Sequence, residues 1–165
     1  MNYYFFGLDP FDSFTEHNIA NEDYKELIDT CFRYSQIISF VKMHDRVFVF
    51  EKLQPYRILV DDADFDHNVK YLIPYGKQPH KIFFSLCSDI RSIMLDCSND
   101  IFEWYGNRPE DPTFYRKDGS VFFYCQAHDD ICVICPRDGE NIDSIVSKPG
   151  WIPEDKVPNS LRINL

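Results

Sequence analysis

The stretch from Thr113 to Cys135, TFYRKDGSVFFYCQAHDDICVIC, decides the fold. Thr113-Phe114-Tyr115-Arg116 runs into Lys117-Asp118-Gly119, whose glycine supplies the positive φ that a tight hairpin turn needs. Val121 to Ala127 then reads as a second strand of β-branched and aromatic residues, His128-Asp129-Asp130 as a polar turn, and Ile131 to Cys135 as a third strand. That strand stops at Pro136-Arg137-Asp138-Gly139. Three such runs joined by short turns predict an antiparallel meander.

Upstream of the meander, Ser88 to Tyr105 reads as a helix. Ser88 is placed to cap it, Asp89 lies in its first turn, and Ile90, Ile93, Met94, Cys97, Ile101 and Trp104 mark one face. Ser98-Asn99-Asp100 is a weak point at which this helix is expected to break. An earlier helix follows Asn21, with Tyr24, Leu27, Ile28, Cys31 and Phe32 at helical spacing and Glu22, Asp23 and Glu26 near its start. Between the helices, Ile37, Ile38, Phe40 and Val41 and then Val47-Phe48-Val49-Phe50 flank the polar pair His44-Asp45 and predict a hairpin. Further strands are expected at Tyr56 to Val60 and Lys81 to Phe84. The aromatic run Tyr3-Tyr4-Phe5-Phe6 is expected as a buried strand, because aromatics are costly to leave exposed together. Past the meander, residues 147–165 carry Pro149, Pro153 and Pro158, which argue against regular structure there, while Trp151 is free to pin the segment to the body. The expected architecture is α+β: one domain spanning 1–165, an antiparallel sheet with two main helices packed on it.

Composition agrees with a single globular unit of 165 residues, 44% of them hydrophobic and 27% charged. The formal net charge of −10 is spread evenly: residues 1–80 carry 13 acids and 8 bases, residues 81–165 carry 14 and 9, so each part nets −5. An even negative field repels nucleic acid and anionic lipid, speeds encounter with basic proteins, and also serves solubility alone. The opening Met1 to Gly7 lacks the cationic region and apolar run of a signal peptide, and no stretch has the length of a membrane helix. The expectation is therefore a cytoplasmic protein with reduced thiols at Cys31, Cys87, Cys97, Cys125, Cys132 and Cys135.

Several groupings of chemical side chains have a plain structural role beside a chemical one. Cys132 and Cys135 have the spacing of a zinc or redox pair, but residues three apart in a strand point to opposite faces. A metal site on Cys125, His128, Cys132 and Cys135 therefore loses to core thiols. Asp62, Asp64, Asp66 and Asn68 alternate like calcium-loop ligands, yet His67 and Ile73 stand where that loop requires Gly and Glu. Cys125 and His128, with Asp129 or Asp130 orienting the ring, would make a thiol–imidazole site, but His128 lies at a turn tip and Cys125 in the sheet. His44-Asp45 and Asp66-His67 read as turn residues. No Gly-rich phosphate loop precedes a helix, and no cofactor is expected.

From Ile101 to Gly139 the chain has an aromatic helix end (Phe102, Trp104, Tyr105), then Asp111-Pro112-Thr113-Phe114-Tyr115, the Asp118-Gly119 turn and His128-Asp129-Asp130 between strands. This order resembles the C-terminal part of small, acidic, uncharacterised bacterial α+β proteins, some of them of the immunity type that neutralises toxins. The resemblance and the acidic charge together imply a non-enzymatic, protein-binding module that inhibits a basic toxin such as a nuclease, and the charge argues against a nucleic-acid or membrane partner. On that reading the contact groups are Asp61, Asp62, Asp64, Phe65, Asp66, Tyr71, Asp129 and Asp130, acids that mimic phosphate beside aromatic anchors. Two alternatives stand beside it: an enzyme or small-ligand binder with a Cys/His/Asp site around Cys125 and His128, and a structural or phage-derived assembly subunit.

Overall fold

The computed structural model describes residues 3–7, 18–41, 48–60 and 81–157. Along the chain these form β1 (Tyr4–Phe6), α1 (Glu22–Tyr34), β2 (Ile37–Val41), α2 (Phe48–Leu53), β3 (Arg57–Ile58), β4 (Lys81–Ser85), α3 (Ser88–Cys97), β5 (Glu110–Tyr115), β6 (Val121–Gln126), β7 (Ile131–Ile134), α4 (Asp143–Val146) and β8 (Trp151–Pro153). All eight strands join one sheet in the order β3-β4-β2-β5-β6-β7-β1-β8, and every neighbouring pair is antiparallel. The architecture is α+β, and the quoted meander supplies the middle of its sheet. Among the described residues no helix is long and apolar enough to cross a membrane.

Strand alternation divides the side chains between two cores. Toward the helices point Phe6, Ile38, Phe40, Phe84, Phe114, Phe123, Cys125, Cys132 and Ile134, which meet Tyr24, Leu27, Ile28 and Cys31 of α1 and Ile90 and Met94 of α3. On the opposite side Phe5, Phe83, Tyr115, Val121, Tyr124, Val133 and Cys135 form a second buried cluster with Val157. The periodicity of 2 in the strands and 3.6 in α1 therefore converge on one interface. Burying a Leu, Ile or Phe side chain in it contributes about 1.5–3 kcal/mol.

Two expectations fail here, each for a physical reason. Val47 to Phe50 is not the second arm of a hairpin: Phe48–Leu53 is helical. Both edges of β2 are already taken, by β4 and β5, so no edge is left for a following strand. The buried residues Val49, Phe50 and Leu53 also have the i, i+1, i+4 spacing of a helix stripe. The Pro-rich tail, expected to lack regular structure, instead carries β8, paired to β1 in the register Tyr4↔Pro153, Phe5↔Ile152, Phe6↔Trp151, while residues 158–165 with Pro158 lie outside the described residues. Trp151 packs edge-on against Phe6, ring centroids 5.4 Å apart, and Lys148 ties the tail to α1 through Asp23 at 2.6 Å and through Glu26. Smaller differences are a β3 of only Arg57–Ile58, and an α3 that starts at Ser88 with Cys87 at its cap. The expected break at 98–100 is present: α3 ends at Cys97, and a separate 3-10 turn spans Ile101–Glu103. His44, Asp45 and Val47 lie outside the described residues.

One buried cation joins these parts. The β5–β6 turn closes with Gly119 N–H donating to the Arg116 carbonyl (3.1 Å) and Arg116 N–H to the Ser120 carbonyl (2.9 Å), which turns the Arg116 side chain back over the strands. Its guanidinium donates to the carbonyls of Val121 (2.6 Å) and Cys135 (2.7 Å) and forms a forked pair with Glu140 at 2.7 and 2.5 Å. It also lies 5.3 Å from the centroid of the Phe122 ring. The pair is nearly dry, with side-chain exposures of 9% and 13%.

Removing one partner of such a pair strands the other charge, so Arg116→Met should lower unfolding free energy by about 3–5 kcal/mol, read as a drop in the urea midpoint. Burial pushes the Glu140 carboxyl up, but the hydrogen bonds from Arg116 and the Arg137 N–H outweigh it and hold it below its ordinary range. A carboxyl depressed in the folded state contributes stability that is full above the unfolded-state value and fades as pH falls through the folded one. The stability gap between the wild type and Glu140→Gln should therefore be full at neutral pH and close below about pH 4.

Candidate functional site

At the end of the sheet where β5 starts and β6 turns into β7, three loops meet. The first is the segment after α3. Asp100 caps its 3-10 turn, its carboxylate accepting from Phe102 N–H at 2.8 Å, while the Ser98 hydroxyl donates to Glu103 at 2.8 Å. Arg108 stitches the far side, donating to the carbonyls of Cys97 and Glu103, both at 3.0 Å, and pairing with the Glu103 carboxylate at 3.2 Å. Trp104 is fully buried, its indole N–H donating to the Tyr24 hydroxyl at 3.0 Å, and this anchor presents its neighbour Tyr105 outward at 48% exposure.

The second and third loops bring a carboxylate and an imidazole to that tyrosine. Glu110, the first residue of β5, has only 4% of its side chain exposed and holds His128 Nε2 at 2.9 Å. Its other oxygen accepts from Gly106 N–H at 3.2 Å. The His128 ring, 42% exposed, rests against Tyr105 with centroids 5.1 Å apart. The backbone here is unusual: Asp111 (φ 51°) and Asp130 (φ 53°) both occupy the left-handed region. The first is fixed by Ala127 N–H donating to its carboxylate at 2.9 Å. Beneath the second, the Cβ position of Gly7 (φ +84°) lies 2.0 Å from the Asp130 carbonyl oxygen, so only glycine lets β1 approach this turn.

The electrostatics are one-sided. Asp129 and Asp130 are exposed, and the Asp130 carboxyl is pushed up by partial burial and by the carboxylates of Asp100 and Asp129. Asp100 is pushed up chiefly by burial, against hydrogen bonds from Phe102 N–H and the Asn18 amide. A positive group arriving at this end would relieve that crowding.

The structure brings together only part of the expected set. Asp129 and Asp130 directly follow His128, whose ring rests against Tyr105, an aromatic outside the expected set. Asp61, Asp62, Asp64, Phe65, Asp66 and Tyr71 lie outside the described residues, as do Asn68 and the calcium-like loop. Cys125 and His128 have separate partners: the Cys125 thiol faces the Ile101 carbonyl at 3.8 Å on the helix side, and His128 faces Glu110. Cys132 and Cys135 fall into the two different cores, on opposite faces as strand geometry requires. Among the described residues no group of three or more His, Cys, Asp or Glu is placed to hold a metal. Sequence reasoning missed Glu110 altogether. Its partner is 18 residues away across a hairpin, and no spacing rule connects them.

Gly7→Ala should cost about 1–3 kcal/mol, since a backbone oxygen must move and the left-handed φ is retained, and thermal melting would show it. The chain matches no family model, and comparison with curated proteins and with solved structures finds no match.

Proposed function

We propose that this protein is a non-enzymatic binding module for a basic protein, in the manner of an immunity-type inhibitor of a toxin such as a nuclease. The observation that carries this reading is the Tyr105–His128 pair, half-exposed and held from below by Glu110, with exposed Asp129 and Asp130 beside it. An aromatic anchor edged by acids is the arrangement that stacks and pairs with an arginine or lysine side chain. The net charge of −10 adds long-range attraction for such a partner.

A second reading, an enzyme or small-ligand binder, draws on the same Glu110–His128 contact, because a buried carboxylate that fixes an imidazole is also a general-base arrangement. The two readings diverge in one experiment. Wild-type protein and the Asp129→Lys/Asp130→Lys and Tyr105→Ala variants are used as parallel baits in native extract and eluted with rising salt. The expected outcome is a stoichiometric basic protein that leaves the wild type as salt rises and is lost from both variants, with its on-rate reduced at least tenfold by the charge reversal. Identical recovery on all three baits would remove this surface from the proposal. Thermal stabilisation by a small molecule that disappears in His128→Ala would favour the second reading.

A further inference from the structure

We propose that Cys125 and Cys132 are a cross-strand dithiol that a low-molecular-weight disulfide converts to an intramolecular disulfide. The inference rests on the sheet register and does not depend on the binding reading above. Cys125 of β6 and Cys132 of β7 are direct partners, within an unbroken register from Phe123↔Ile134 to Gln126↔Ile131. Cys135 N–H donates to the Phe122 carbonyl at 2.7 Å, which makes 122/135 a hydrogen-bonded pair. Alternation then makes 124/133 and 126/131 hydrogen-bonded and leaves 125/132 as a non-hydrogen-bonded pair. Such pairs set their Cα atoms about 4.5 Å apart with side chains converging on the same face. A disulfide spans Cα separations of roughly 4.4–6.8 Å. Both side chains belong to the helix-side core.

The step balances with glutathione disulfide as oxidant. One cysteine thiolate attacks a sulfur of glutathione disulfide, breaking its S–S bond and releasing a glutathione thiolate. The second cysteine thiolate then displaces the remaining glutathione, closing the Cys125–Cys132 bond. The protein loses two protons and two electrons, and one glutathione disulfide becomes two glutathiones. Access sets the rate. Both thiols are essentially fully buried, and burial pushes both above their ordinary pKa range, so the reaction goes through opening of the hairpin end. Only the Gln126↔Ile131 rung lies between the pair and the turn at Ala127–Asp129. The partly exposed Cys87 and Cys97 therefore react first.

The test uses a Cys87→Ser/Cys97→Ser variant, folded and without denaturant, incubated with glutathione disulfide at mildly alkaline pH. Free thiols are counted with time, and the product is mapped by mass spectrometry after digestion. The expected result is loss of two thiols and of the mass of two hydrogens, with the peptides carrying Cys125 and Cys132 joined, while Cys31 and Cys135 stay free. The link should vanish in Cys125→Ala and Cys132→Ala added singly. If either of those fails to fold, the mapped link in the parent variant decides. Retention of all its thiols, glutathione adducts without an internal link, a link involving another cysteine, or a link that forms only in denaturant would each overturn the proposal.

Discussion

The Arg116 guanidinium is the point through which the two halves of the C-terminal region are joined. It reaches the first residue of β6, the carbonyl just past β7 and a carboxylate in the loop beyond. A cation with so little exposure is tolerated only because its donors are met at once, by two carbonyls and a forked carboxylate. The consequence spreads along the chain. With Glu140 held over the sheet, the following residues lead into α4, just beyond which Lys148 meets Asp23 of α1, and from there β8 runs back alongside β1. The outer strands thus depend on a charge pair located near the middle of the sheet.

The sheet end with Tyr105 and His128 obeys different rules. This end holds two non-glycine residues in the left-handed region and crowds Asp100, Asp129 and Asp130. Just inside it, Gln126 is buried with both its amide nitrogen and its amide oxygen lacking a hydrogen-bond partner. An orphan amide of that kind costs about 1–3 kcal/mol. Left-handed backbone, like-charge crowding and an unsatisfied amide thus meet at one end of the sheet, a departure from the local consistency of the strands beside it.

The sequence made the central fold legible because its signals there are local. Asp118-Gly119 specifies a turn, the flanking β-branched and aromatic runs specify strands, and the stripes of α1 and α3 repeat at helical spacing. The misread segments were decided by distant contacts. Val47 to Phe50 has strand-like composition, but β2 had no edge to offer, and Val49, Phe50 and Leu53 were needed under a helix instead. Pro153 argued against a strand, yet β8 is the outermost strand, where one side of the backbone needs no donor. The candidate site was half legible for the same reason: His128, Asp129 and Asp130 announce a turn, whereas the Glu110 contact exists only once β5 and β6 are paired.

The placement of β1 between β7 and β8 has a temporal meaning. Tyr4 to Phe6 are made well before their two neighbours, Ile131 to Ile134 and Trp151 to Pro153, so the strand lacks these pairing partners until nearly all of the described chain has been made. Contacts of that sequence separation close late and slowly, because the loop entropy is lost before any pairing compensates it. During synthesis an apolar aromatic strand therefore waits unpaired. Its protection at that stage must come from chaperones or from the speed of translation rather than from the fold it will later complete.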